Sequence, residues 1–200
     1  MVMPINLFDL LMAALLAWGV VRGRRQGFSR EFLNLLKWLV LLFGCAAIYE
    51  PVGEMIAQYG AFDLLSAYLL TYLGAALVIF LFFSLVQRRL EPKLAGSDIF
   101  GRSEYYLGMG SGLVRFCCML LMGLALLNAR AFSPVELKSM EKFQEDAYGS
   151  NLFPNLHSLQ VAIFEDSFAG AFVRNELGFL LIHPTSVNSS PDQVQKAARK

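Results

Sequence analysis

The amino-acid sequence predicts an all-α membrane protein: four transmembrane helices followed by a helical C-terminal tail. Three observations predict it. The 200-residue chain is 56% hydrophobic and only 16% charged, with mean hydropathy +0.50, whereas ordinary soluble domains carry about 25% charged residues. Four runs approach the roughly 20 apolar residues that a helix needs to cross a hydrocarbon core of about 30 Å. The basic residues are gathered in two of the loops between those runs. The net charge of +1 says little about partners, because the charges lie in blocks whose signs cancel only in the sum. Nothing in the pattern supports nucleic-acid binding, and the lipid bilayer is the expected surrounding.

The predicted spans are 5–21, 32–49, 64–86 and about 107–127, which places a four-span transmembrane domain at 1–131. The third carries no charge. The others carry one ionisable residue each: Asp9, Lys37 and Arg115. None shows the polar face of a helix in a soluble bundle. The N-terminus lacks the basic n-region of a signal peptide and has an acid, Asp9, in its place. Arg22, Arg24, Arg25 and Arg30 fill the first loop, and Arg88, Arg89, Lys93 and Arg102 the third; the loop between them has Glu50, Glu54 and Asp63 and no base. By the positive-inside rule the basic loops are cytoplasmic and both termini lie outside. In a bacterium this is a multi-pass inner-membrane protein with periplasmic ends.

Cys45, Cys117 and Cys118 all fall within predicted spans and show no zinc-ligand spacing. They read as packing residues, and no metal or cofactor is expected. Beyond Asn128 the composition becomes mixed. Ser133-Pro134-Val135-Glu136 is a helix start with a Ser cap, Pro at the first helical position and a Glu placed to reach back. A second helical stretch is expected from about Asn155 to Arg174, its apolar face built from Leu156, Leu159, Ile163, Phe164, Phe168 and Phe172. That amphipathic tail, 132–183, has three ways to cover its face: the membrane surface, the spans, or a partner. From Pro184 onward polar residues and prolines predict disorder.

Two motifs resemble the colicin V production protein (CvpA) family of small bacterial inner-membrane proteins. The first is Asp9 followed, after the first span, by Gly27-Phe28-Ser29-Arg30-Glu31; the second is Leu107-Gly108-Met109-Gly110-Ser111-Gly112-Leu113-Val114-Arg115 at the head of the last span. A third, Ser150-Asn151-Leu152-Phe153-Pro154, is similar to a Ser-x-Leu-x-Pro element of the family's tail. The resemblance covers about 5–165. The chain departs from the pattern at Gln26, where the family has a base, and at Glu104-Tyr105, where it has an Asp-Arg pair. The resemblance implies a role in production or export of a peptide toxin and in envelope homeostasis.

The residues that could carry such a role are Asp9, Gly27, Phe28, Arg30, Glu31, Gly108, Gly112 and Arg115. Arg115 sits about 12 Å inside its span at 1.5 Å per residue; an arginine there marks function by default, unless its stem snorkels to lipid phosphates. Asp9 is either a hydrated carboxylate capping the first helix or a group for proton handling or ion pairing. Lys37 is expected to snorkel, and Glu31 to pair locally with Arg30. Gly108 and Gly112 form a small-xxx-small face for close helix approach, within the bundle or between protomers. His157 and His183 are isolated. With no nucleophile beside a base, no paired carboxylates and no ligand cluster, a non-enzymatic accessory or scaffold is expected, partnered by other envelope proteins or by itself. The alternative is an oligomeric transporter or channel subunit using Asp9 and Arg115.

Overall fold

The computed structural model describes residues 6–60, 62–94, 103–133, 136–138 and 156–185. Those residues are mainly helical: α1 (Leu7–Gln26), α2 (Phe28–Tyr59), α3 (Leu64–Leu94), α4 (Ser103–Asn128), and in the tail α5 (Leu156–Phe164) and α6 (Phe168–Glu176), closed by a 3-10 turn at Gly178–Leu180. Three segments are long and apolar enough to cross a membrane: Glu31–Tyr59, Leu64–Leu90 and Ser103–Asn128. Helix α1 is not among them, since Asp9 sits in its first turn and Arg22, Arg24 and Arg25 crowd its last two.

The helices outrun the apolar spans that announce them. Helix α2 continues past Glu50 and through Pro51 to Tyr59, into what the sequence marks as a loop, and α3 runs on past Val86 to Leu94. A charged or proline-containing turn ends hydrophobicity before it ends hydrogen bonding. The chain breaks at Gly27 instead, where φ is +75° and the backbone is both the end of α1 and the start of α2; glycine adopts that conformation without the strain a side chain brings.

In space the order is α1–α4–α2–α3, with α4 between α1 and α2, and α3 against the far side of α2. The α1–α4 seam is a glycine contact. A Cβ on Gly108 would come within 2.6 Å of the Gly23 carbonyl oxygen, and one on Gly19 within 2.9 Å of the Phe116 ring; Gly23 and Gly112 face each other as closely. Small residues admit this backbone approach, which is how helices associate where lipid removes the hydrophobic drive. Gly110 has open space around it and takes no part.

The tail folds back onto the end of the bundle where α1 starts and α2 and α4 finish. Leu180, Leu181, Ile182, Ile163 and Phe164 are buried in one cluster with Tyr49, Tyr68 and Tyr72 of the long helices. Of the tail's expected apolar face, Ile163 and Phe164 pack on the spans, while Leu156, Leu159, Phe168 and Phe172 remain exposed. Side-chain amides tie the tail down: Gln160 donates to the Leu127 carbonyl at the end of α4, an orphan of the helix terminus, and to the Arg130 carbonyl (2.6 and 2.9 Å), and Asn128 donates to the Ile182 carbonyl (3.0 Å). The expected second tail helix is two helices, because the Ser167 hydroxyl caps a new one by accepting from the Gly170 N–H (3.0 Å). Gly170 then sits where any Cβ would strike the Ile163 carbonyl. Disorder is not found at Thr185, which is buried and whose N–H donates to the Ala129 carbonyl (2.9 Å). The Ser133–Glu136 capping box forms as expected, with reciprocal bonds of 3.1 and 3.3 Å. The Ser150–Pro154 element and residues 186–200 lie outside the described residues.

Candidate functional site: a buried charge chain and an aspartate junction

The described charged residues that the sequence places inside spans are all engaged, at two separate places. At the basic end, Glu31 lies one turn into α2 with its side chain fully buried, and its carboxylate forms an ion pair with the Arg115 guanidinium of α4. Arg115 therefore turns toward the end its stem can reach, as a snorkelling side chain would, but stops on a carboxylate rather than a lipid phosphate. Its guanidinium also lies 5.1 Å from the centre of the Phe116 ring, a cation–π contact. The expected Arg30–Glu31 pairing lies outside the described residues, because the Arg30 side chain does.

The pair continues into a chain of hydrogen bonds. Asn34 donates to Glu31 (3.4 Å), Gln87 of α3 donates to Asn34 (2.9 Å), and Lys37 donates to Gln87 (3.2 Å). Lys37 is 7% exposed, with its ammonium 4.8 Å from the Phe80 ring centre. It lies inside the bundle, so the snorkelling expected of it is replaced by an internal partner. Glu31, Asn34 and Lys37 follow each other at three-residue spacing on one face of α2, which is why one helix can serve two neighbours. The chain Arg115–Glu31–Asn34–Gln87–Lys37 thus clasps α4, α2 and α3 together. It holds two cations and one carboxylate.

Around this clasp the two sequence motifs meet. Gly27 and Gly108 approach closely, a Cβ on Gly108 falling 3.2 Å from the Gly27 backbone, and Gly112 packs against Gly19 and Gly23. The Phe28 ring meets that of Phe32 at a tilt, with centroids 5.6 Å apart. Gly27, Glu31, Gly108, Gly112 and Arg115, five of the eight candidate residues, are therefore one contact region.

Asp9 stands apart, at the tail end. It is the third residue of α1 and closes a capping box with Asn6. The same carboxylate also serves α6: it accepts from the Ser167 hydroxyl (2.8 Å) and from the Ala169 and Phe168 N–H groups (3.0 and 3.3 Å). A single carboxylate so sits at the positive ends of two helices, a favourable place for negative charge. Asn6 adds a bond to the Ala162 carbonyl (3.0 Å). Of the two roles open to Asp9, the capping one is realised, extended to a second helix. Asn34, Gln87, Ser167, Gly19 and Gly23 were not singled out by sequence reasoning; the Gly19-xxx-Gly23-xxx-Gly27 spacing was the available signal for two of them.

A helical, multi-pass arrangement with charges clasped inside it defines a polytopic membrane protein. The family model of colicin V production protein matches residues 8–156, and the chain belongs to that family. No curated protein and no solved structure matches it.

Proposed function

We propose that this protein is a non-enzymatic accessory of the bacterial inner membrane, a scaffold that supports colicin V or bacteriocin production or export and envelope homeostasis. The observation that carries this reading is the internal use of its charges: Arg115 and Glu31 neutralise each other between α4 and α2, and Asp9 is spent on capping α1 and α6. A group that handled a proton or a solute would need to face a pathway. Glu31 has no exposed surface. On this reading α1 is a fourth span, held against α4 by the glycine seam, with Arg22, Arg24 and Arg25 at the cytoplasmic surface and the docked tail in the periplasm.

The transporter reading keeps one supporting observation, the surplus cation in the buried chain, and it requires an oligomer. Reconstitution in liposomes decides between them. Co-purification of the tagged chain with other envelope proteins, without solute flux, supports the scaffold; flux abolished by Arg115→Leu or Asp9→Asn refutes it in favour of transport.

A further inference from the structure

We propose that the tail forms, with the end of α4, a binding cleft for a carboxylate group. The cleft, of about 160 Å³, is lined by Arg130, Arg174, His157, Gln160, Phe132 and Glu165 among others. Its base is rigid. The Arg130 carbonyl is held by Gln160 (2.9 Å), and the flanking Ala129 carbonyl and Ala131 N–H bond to Thr185 at 2.9 and 3.0 Å. The Arg130 guanidinium lies 4.7 Å from the Phe132 ring centre, and that ring meets the His157 ring edge-on at 5.6 Å. The planar fork is thereby oriented by its neighbours rather than by an acid. Its Nε is buried and meets no acceptor among the described residues.

That buried Nε is closed to a ligand, so binding falls to the rest of the Arg130 guanidinium, which lines the cleft and has no acid partner among the described residues. Guanidinium forks match carboxylates in a bidentate geometry that point charges do not. Arg174 also lines the cleft, and its pairing with Glu165 at 3.6 Å between exposed side chains is weak in water. It is free to turn to a better-placed acid. With one lining carboxylate against two guanidiniums, the cleft favours an anion, and its size admits a carboxylate on a short stem. Two sources share this chemistry: a peptide C-terminus and a free small carboxylic acid.

The test is titration calorimetry on the full-length protein in detergent with N-acetyl-dialanine, its C-terminal amide, and acetate. The free-acid dipeptide should bind at least about tenfold more tightly than the amide. Acetate matching the dipeptide acid identifies a small acid as the ligand class, and a dipeptide preference identifies a peptide end. Arg130→Gln should weaken the acid about tenfold or more with the melting temperature unchanged. Should Arg130→Gln fail to fold, Arg130→Lys, which keeps the charge and loses the fork, should weaken it several-fold. Equal binding of acid and amide, no binding of the acid at about 10 mM, or unchanged affinity in either variant overturns the proposal.

Discussion

Replacing Arg115 with Met should cost this protein more than any other single change at the basic end, and replacing Glu31 at the same time should recover most of the loss. Arg115 and Glu31 are 8% and 0% exposed at their side chains. Removing one partner of such a pair strands the other in a low-dielectric interior, at a cost of about 3–5 kcal/mol. Removing both with apolar residues of similar volume is close to neutral, because the desolvation of two charges disappears along with their attraction. For a chain of this length each kcal/mol moves the melting temperature by roughly 2–4 °C. Arg115→Met should thus lower it by on the order of 10 °C, and Arg115→Met with Glu31→Leu by only a few. The assay is thermal unfolding of the four proteins of the cycle in one detergent, checked against their yield in membranes. A melting temperature for Arg115→Met within about 2 °C of the parent, or a double variant no better than the single one, would refute the buried clasp.

Gly23→Leu and Gly108→Leu should each destabilise by about 1–3 kcal/mol or more through overpacking of the α1–α4 seam, while Gly110→Leu, in open space, should melt with the parent; a uniform response of the three would deny the seam. Asp9→Ala should loosen α6 and the first turn of α1 without unfolding the long helices, since it removes the acceptor of the Ser167, Phe168 and Ala169 donors and the α1 capping box, at about 1–3 kcal/mol; faster amide exchange at 165–176 and at the start of α1 is the readout. Ser167→Ala, which removes the cap of α6, should speed exchange at 165–176 alone, at about 1 kcal/mol. A reporter fused after Lys200 should be active on the periplasmic side, and activity confined to the cytoplasm would reverse the orientation.

The helices were legible because apolar length is a property of composition, and the tail's first cap because Ser-Pro-Val-Glu is a local code. Partners across helices were less so. Glu31 has a base beside it in sequence, Arg30, and the local rule looks no further; its interhelical partner Arg115 lies far along the chain, within a span, where an arginine has the greater need of a counter-ion. Asp9 illustrates the same limit from the other side. Its capping of α1 follows from its place in the first turn, whereas its capping of α6 depends on Ser167, 158 residues later, and no periodicity records that the tail returns. Lys37 failed as a snorkelling residue for want of one neighbour, Gln87, whose helix extends beyond the span that hydropathy marks.

The two motifs that identify the family therefore have a common physical content. Gly27 and Gly108 let α1 and α4 close to backbone contact, and Glu31 and Arg115, four residues beyond Gly27 and seven beyond Gly108, place opposite charges on α2 and α4 beside that contact. Neither element is useful alone: the glycines bring the helix ends together without fixing α2, and the arginine without the glutamate is a buried charge. The junction at Asp9 differs in kind. Its acid lies inside the stretch matched to the family, 8–156, but Ser167 and the α6 amides that it holds lie outside. The basic end joins two residues inside the matched stretch, while the tail end joins a matched residue to a segment beyond it, so the docking of the tail rests on pairings the match does not cover.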